Sequence, residues 1–393
     1  MSVNTILSYA AFSRLTSSND DLLADRISHL YTVLTLIIFA IIVGVKQFVG
    51  DPIQCWTPAD FKPAQSAYVL SNCWIQSTYY VQMEDVVPSS KREREAAKLA
   101  YYQWVPIILL FMAFLFKLPY ILWRMCCELS GFNVSNFVSL AYKTQYGLST
   151  THDENVKNIS DYLDRWLAFN KKLVTIPSLG DEVQKPRYFL FESASRWYLM
   201  ILYYFIKVLY CVNAVTQFFL LNQFLGGWYA MYGSEVIQNM IYGEPFMESH
   251  RFPLVTLCDY QIRQMNNVND YTSMCVLSIN LFSEKIFIFI WFWLVFVCVV
   301  SIISLIKWTL LIVINRKRLS FVHDYLLLLN ILCGEQDKSH VKKFVLDYLK
   351  GDGMFILKIL DANAGAMVTS DIVKQLWYIY RNRPSPITAT TQF

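Results

Sequence analysis

Apolar residues are gathered into four long blocks along the chain, separated by polar segments. The charge-free stretches are Leu30–Val45, Leu99–Phe116, Val208–Ser234 and Ile286–Ile306, and they contain 16 to 27 residues each. A transmembrane helix needs about 20 predominantly apolar residues. The pattern therefore predicts four membrane spans, which we place at residues 29–49, 104–125, 198–222 and 286–314.

Each predicted span also has a lysine that we expect near one of its ends. Such a lysine can keep its methylene stem in lipid while its ammonium group reaches the headgroups. No acidic residue lies within the four predicted spans, which argues against proton or ion coupling inside the membrane. The four lysines are Lys46, Lys117, Lys207 and Lys307.

Composition supports the membrane interpretation and excludes two other classes of protein. Hydrophobic residues make up 55% of the 393 residues and charged residues only 16%, whereas soluble domains average about 25% charged residues. A disordered chain would be far less hydrophobic. The net charge of +4 is too small to indicate a nucleic-acid partner. Because of the hydrophobic composition, membrane lipids are the expected surroundings.

The distribution of Lys and Arg predicts the orientation. Segments 1–28, 124–197 and 315–393 contain 22 basic residues, against 8 in the loops 50–103 and 223–285. Cytoplasmic segments carry the excess of basic residues. We therefore expect a cytoplasmic N-terminal segment 1–28, a cytoplasmic loop 126–197 and a cytoplasmic C-terminal region 315–393, with loops 50–103 and 223–285 extracellular. The charged residues that flank the first span, taken alone, would favour the opposite orientation.

The cysteines provide an independent indication of which side is outside. Cys55 and Cys73 lie in the first loop, and Cys258 and Cys275 lie in the third. Two pairs on the same predicted face fit an oxidising exterior, where disulfides persist. Spacing alone leaves all three possible connectivities open.

No pattern of residues indicates an enzyme. The sequence has neither a phosphate-binding glycine loop nor a nucleophile elbow. Its five histidines are scattered without the spacing of metal ligands, so no cofactor or metal is predicted. Four spans without an internal repeat also argue against a secondary transporter.

The start of the second span carries a specific motif, Tyr101-Tyr102-Gln103-Trp104-Val105-Pro106. This run resembles the signature of the innexins, the invertebrate gap-junction family, to which the pannexins are related. Segments 50–56 and 284–293 also resemble that family, and the resemblance covers residues 20–310. It implies structural roles for the motif residues Tyr101, Tyr102, Gln103, Trp104 and Pro106.

The resemblance implies an all-α membrane protein with four transmembrane helices, disulfide-bonded extracellular loops with some β structure, and a cytoplasmic helical domain. Such subunits would form a homo-oligomeric ring of about eight in the plasma membrane. Two rings would dock at a gap junction and pass ions and small molecules between adjacent cells. Other innexins are further expected partners.

The resemblance also implies roles for individual residues. The disulfides would be nested, as Cys55–Cys275 and Cys73–Cys258. The N-terminal segment would fold into the pore, with a surface helix or a frayed tail as alternatives. Asp51 and Asp60 would lie at the outer vestibule, although a structural capping role fits them equally. The pore-lining candidates are Ser2, Val3, Asn4, Ile6, Leu7, Asp51 and Asp60.

Two other functions stay open at this point. The first is an unpaired hemichannel that releases small molecules to the outside, as pannexins do. Glycans on the outer loops would block docking, and the absence of glycosylation motifs from those loops argues weakly against this alternative. The second is a non-conducting adhesion protein with four spans.

Overall fold

The computed structural model describes residues 21–129, 131–145, 149–175, 196–226, 229–242, 251–331 and 335–383. The pore-lining candidates Ser2, Val3, Asn4, Ile6 and Leu7 lie outside these residues. In chain order, the described elements are α1 (Leu23–Phe48, with a π-helical turn at Ile27–Tyr31), β1 (Gln54–Cys55), α2 (Pro63–Gln76), β2 (Thr78–Tyr79), α3 (Lys91–Ala96), β3 (Lys98–Leu99), α4 (Tyr101–Leu129), α5 (Val134–Thr144), α6 (Ser149–Thr175), α7 (Tyr198–Phe224), α8 (Tyr229–Tyr242), β4 (Val255–Gln264), β5 (Asn267–Val276), α9 (Ser278–Val313), α10 (Asn315–Leu328), α11 (Glu335–Lys343, followed by a π-helical segment Phe344–Leu349) and α12 (Lys350–Arg381).

Four of these helices, α1, α4, α7 and α9, are long and apolar enough to cross a membrane. The prediction of four transmembrane helices in a mainly helical protein is therefore confirmed. The described residues divide into two compact units, and parts of all four helices belong to each. The helical unit consists of the described residues within 21–30, 118–211 and 300–383. The sheet unit consists of those within 31–117 and 212–299.

The sheet unit is organised around one antiparallel sheet in the order β1-β5-β4-β2-β3. The hairpin of β4 and β5 is paired from Val255↔Val276 to Gln264↔Asn267. The short strands β1 and β2, both from the first loop, pair with β5 and β4 respectively. The first loop is therefore hydrogen-bonded to both sides of a hairpin that comes from the third loop.

Helix α8 packs closely on α9 within the sheet unit. The Trp291 indole Nε1 donates a hydrogen bond to the Ala230 carbonyl at 3.0 Å. A Cβ added to Gly233 would lie 2.1 Å from the Trp291 ring, so only glycine permits this approach. The Tyr229 hydroxyl donates to the Phe287 carbonyl at 2.7 Å. Part of the aromatic run in the fourth span therefore packs inside the subunit.

The helical unit has a large apolar core. Its residues come from α4 to α7 and from α9 to α12, and Trp377 and Phe344 are fully buried within it. The rings of Trp123, Tyr203 and Phe355 lie within 5.1 to 5.8 Å of one another. Helices α5 and α6 lie in the segment 126–197, and helices α10 to α12 lie in the segment 315–393.

Candidate functional site

The proline of the motif at the start of α4 explains one of the contacts of Gln47. Pro106 has no N–H, so it cannot bond to the carbonyl four residues earlier in the helix, that of Tyr102. The Gln47 side-chain Nε2 donates to this Tyr102 carbonyl at 2.6 Å. Both residues are buried, where an unpaired carbonyl would be costly. A side chain of α1 thus completes the backbone bonding of α4.

The same motif also binds both loops of the sheet unit. The Tyr101 hydroxyl donates to the Arg251 carbonyl in the third loop at 3.0 Å. The Gln103 side chain donates to the Trp74 carbonyl in α2 of the first loop at 2.5 Å. The rings of Tyr102 and Trp74 lie 4.9 Å apart. These contacts attach the start of α4 to the first and third loops. Trp104, in the same motif, is 56% exposed.

Two disulfides close the sheet unit. Cys55 of β1 is bonded to Cys275, its partner in the strand register on β5. Cys73 of α2 is bonded to Cys258 of β4. These are the pairs that the resemblance implies. The sulfurs of Cys55, Cys73 and Cys275 lie within 4.8 Å of one another, but as disulfide sulfurs they offer no thiolate to a metal.

A polar cluster joins β2, α3 and β4. The Tyr79 hydroxyl donates to the Asp259 carboxylate at 3.0 Å, and the Arg94 guanidinium pairs with the other carboxylate oxygen at 2.9 Å. Burial is the largest cause that raises the pKa of Tyr79 above its ordinary value of 10.0, and the hydrogen bond to Asp259 raises it further. Tyr79 therefore stays protonated and donates at neutral pH.

The two acidic vestibule candidates lie near the beginning of the first loop. Asp51 and Asp60 are both exposed. The Asp51 carbonyl accepts a hydrogen bond from the Ser278 hydroxyl at 2.8 Å, which attaches the end of the first span to the start of α9. The Asp51 contact uses the main chain, so its carboxylate is not needed for that attachment.

The helical unit contains a buried ion pair between two of the long helices. The Lys207 ammonium of α7 lies 2.7 Å from the Asp25 carboxylate of α1, and both side chains are at most 5% exposed. Lys207 also donates to the Ser304 hydroxyl of α9 at 2.8 Å. The Tyr203 hydroxyl donates to the second Asp25 oxygen at 2.5 Å. Three long helices therefore meet at one charged cluster.

The prediction that Lys207 reaches the lipid headgroups is therefore wrong. Helix α1 begins at Leu23, earlier than the predicted start of the span at residue 29. This extension brings Asp25 into the helix, and a buried carboxylate attracts the ammonium group inward. Spacing within α7 could not reveal this partner, since it lies 182 residues away.

A second buried pair lies close by on α1. His29 Nε2 is 2.9 Å from the Asp21 carboxylate, and both side chains are at most 5% exposed. The His29 ring stacks on Tyr120 of α4 with centroids 4.3 Å apart. The Arg26 guanidinium donates to the Asn363 side chain of α12 at 2.8 Å. The beginning of α1 is thus attached to several elements of the helical unit.

These features define a class of protein: a four-span membrane protein whose loops are joined by two disulfides and a small sheet. The sequence model of the innexin family matches residues 20–380. The chain is 34% identical to Innexin unc-9 of Caenorhabditis elegans over 92% of each chain. It is 31% identical to Innexin-19 of Caenorhabditis briggsae over 98% of this chain and 91% of the relative. It is 34% identical to Innexin-11 of Caenorhabditis elegans over 96% of this chain and 82% of the relative.

The chain belongs to the innexin family. Innexins are membrane proteins that form oligomeric gap-junction channels, and they are not enzymes. The contacts described above accordingly serve architecture rather than catalysis.

Proposed function

We propose that this chain is a gap-junction channel subunit that forms a ring of about eight copies around a pore. The ring docks with a ring on the adjacent cell, and ions and small molecules pass between the two cytoplasms. The observation that carries this proposal is the innexin match, which extends over residues 20–380 and so includes parts of both units.

The construction of the sheet unit suits a docking surface. Association costs the conformational entropy of every loop that must be ordered at the interface. The two disulfides and the five-stranded sheet hold the first and third loops together before any partner arrives. A loop surface that is ordered in advance docks at a smaller entropic cost.

The proposed orientation has the sheet unit's loops outside the cell and the helical unit's loops, with both termini, in the cytoplasm of a plasma-membrane protein. Disulfides persist in the oxidising exterior and are rare in the cytosol. The excess of Lys and Arg lies in the segments assigned to the cytoplasm, in agreement with the positive-inside rule.

In this arrangement, the N-terminal segment enters the pore and Ser2, Val3, Asn4, Ile6 and Leu7 line it. Asp51 and Asp60 face the outer vestibule, where their carboxylates favour cations. A wide pore needs no ring of carbonyls to replace the hydration shell of an ion, and none is required here.

Paired cells that express the chain test the proposal directly. We expect junctional current and transfer of small dyes between the two cells. Cys55→Ser removes one disulfide and abolishes coupling, whereas Cys126→Ser, which removes a free thiol, leaves it intact. Protein that reaches the cell surface opposite a permissive partner and never couples the cells contradicts docking. Dye uptake by single cells without coupling instead favours the unpaired hemichannel.

A second experiment tests the pore lining. Single cysteines at residues 2–7 should react with thiol reagents that enter the pore, and the reaction should reduce the conductance. A cysteine at Glu95 on α3, which is exposed in the first loop, is the matched control. Conductance that stays unchanged at every N-terminal position contradicts the assignment of these residues to the pore.

A further inference from the structure

Two segments of the helical unit hold each other by hydrogen bonds that run in both directions. The Asp352 carboxylate of α12 accepts from the backbone N–H of Met200, in the first turn of α7, at 3.2 Å. The backbone N–H of Asp352 donates in return to the Arg196 carbonyl, just before α7, at 3.0 Å. The Arg196 guanidinium donates to the Asp347 carbonyl at 2.8 Å and also to the Tyr348 carbonyl. We call the contact between residues 196–200 and 347–352 the α7–α12 clasp.

Close packing accompanies these hydrogen bonds. A Cβ added to Gly351 would lie 2.5 Å from the Trp197 ring, so α12 begins directly against that indole. The Arg318 guanidinium of α10 lies 4.7 Å from the centre of the same ring. Asp352 is 1% exposed. The carboxylate is therefore enclosed, and it caps the first turn of the third span, where unpaired N–H groups and the helix dipole favour an acceptor.

We propose that Asp352 is a positioning residue that fixes the first turn of the third span to the C-terminal helix, and that uptake of a proton by its carboxyl group tightens the α7–α12 clasp. The consequence for conductance rests on the proposed channel function. The effect on the clasp itself does not.

Burial accounts for the direction of the proton effect. Desolvation raises the pKa of Asp352 to about 7, although the backbone N–H groups of residues 198–200 and the charge of Arg196 act to lower it. Among the described residues, Arg196, from the segment before α7, is a charged side chain that acts on Asp352. Asp347 and Arg383 act on Arg196, and Arg383 also pairs with Asp164 of α6.

The sign of the pH dependence follows from linkage. When the clasp opens, the carboxyl group reaches water and its pKa returns toward about 4. The closed clasp therefore binds the proton more tightly than the open one, so its stability rises as the pH falls through 7. The equilibrium constant for closing should increase roughly tenfold between pH 8 and pH 6.

Hydrogen–deuterium exchange on the full-length protein in lipid nanodiscs tests the proposal. The probe is the protection of the amides of residues 198–201, corrected for the intrinsic pH dependence of exchange. In the wild-type protein, we expect protection to rise roughly tenfold from pH 8 to pH 6. Asp352→Asn keeps an acceptor for the helix terminus but cannot titrate, so its protection should be high and independent of pH. Asp324→Asn, which changes an exposed carboxylate of α10 outside the clasp, should retain the wild-type slope.

A second variant tests the contact without removing the titrating group. Gly351→Ala forces Trp197 away, so protection of residues 198–201 should fall at both pH values while the slope remains. A flat wild-type profile, or a wild-type slope in Asp352→Asn, overturns the proton effect. Unchanged protection in Gly351→Ala overturns the clasp.

Junctional conductance against cytoplasmic pH in paired cells then separates the two proposals. Flattening of that profile by Asp352→Asn supports the inference, and a profile identical to wild type contradicts a role for the clasp in conductance. Failure of the wild-type chain to couple cells would contradict the proposed function and would leave the exchange result standing.

Discussion

Each of the two units of this innexin is stabilised internally by a different kind of interaction. The sheet unit has short strands, and two disulfides bond its first loop to its third. Among its described residues, the helical unit has no disulfide; it has a large apolar core and the buried ion pair Asp25–Lys207. The proposed orientation explains this difference, because only the exterior sustains disulfides. Each unit should therefore fail under a different perturbation.

The largest expected effect is on the helical unit, from removal of one member of its buried ion pair. Lys207→Met leaves the Asp25 carboxylate buried without its cation. Breaking a buried pair in this way costs about 3–5 kcal/mol. We expect a large fall in the thermal stability of the purified protein, measured by the unfolding of the helical unit in detergent.

The paired substitution distinguishes loss of the pair from loss of packing. Asp25→Leu combined with Lys207→Met removes both charges, and replacing a buried pair by apolar residues is often neutral. The double variant should therefore be more stable than Lys207→Met alone. A double variant that is less stable than the single one would show that the charges are not the main source of the effect.

The next effect falls on the sheet unit and leaves the helical unit unchanged. Cys73→Ser combined with Cys258→Ser removes one disulfide, which typically contributes about 2–4 kcal/mol. Exchange of the amides of β4 and β5 should accelerate, while exchange of α12 should not. Cys126→Ser combined with Cys211→Ser removes two free thiols and is the matched control. Equal acceleration of amide exchange in β4, β5 and α12 would contradict the expectation that the effect is confined to the sheet unit.

The sequence predicts the parts of this fold that depend on composition and local pattern. Four apolar blocks give the spans, because bilayer thickness sets a minimum helix length. The pairing of the cysteines is different, since spacing leaves three connectivities and only family resemblance chooses between them. The structure brings Cys55 opposite Cys275 in strand register, and this register depends on contacts between distant loops.

The ion pair of the helical unit could not be predicted for a related reason. Asp25 precedes the apolar block that marks the first span, so the pattern assigns it to a polar flank. Tertiary packing extends α1 back to Leu23 and provides the partner that makes a buried carboxylate tolerable. The apolar pattern shows where a helix can be buried in lipid, and it does not show where protein packing continues that helix.

The smallest effect tests how the motif of α4 joins α1 within the sheet unit. Gln47→Leu leaves the Tyr102 carbonyl buried without the side-chain donor that now lies 2.6 Å away. A buried acceptor that loses its partner costs about 1–3 kcal/mol. We expect faster amide exchange at the start of α4 and a modest loss of stability, with less change in the helical unit.

Pro106→Ala supplies the control, because Pro106 leaves the Tyr102 carbonyl without a backbone donor and Gln47 takes that place. Alanine restores an N–H that can bond to the Tyr102 carbonyl within the helix. Gln47→Leu should therefore cost less in the Pro106→Ala background than in the wild-type chain, and the double-mutant cycle should show a coupling of about 1 kcal/mol. Additive costs would mean that Gln47 acts through packing alone. Coupling would identify the proline as the reason that a side chain of the first span completes the backbone of the second.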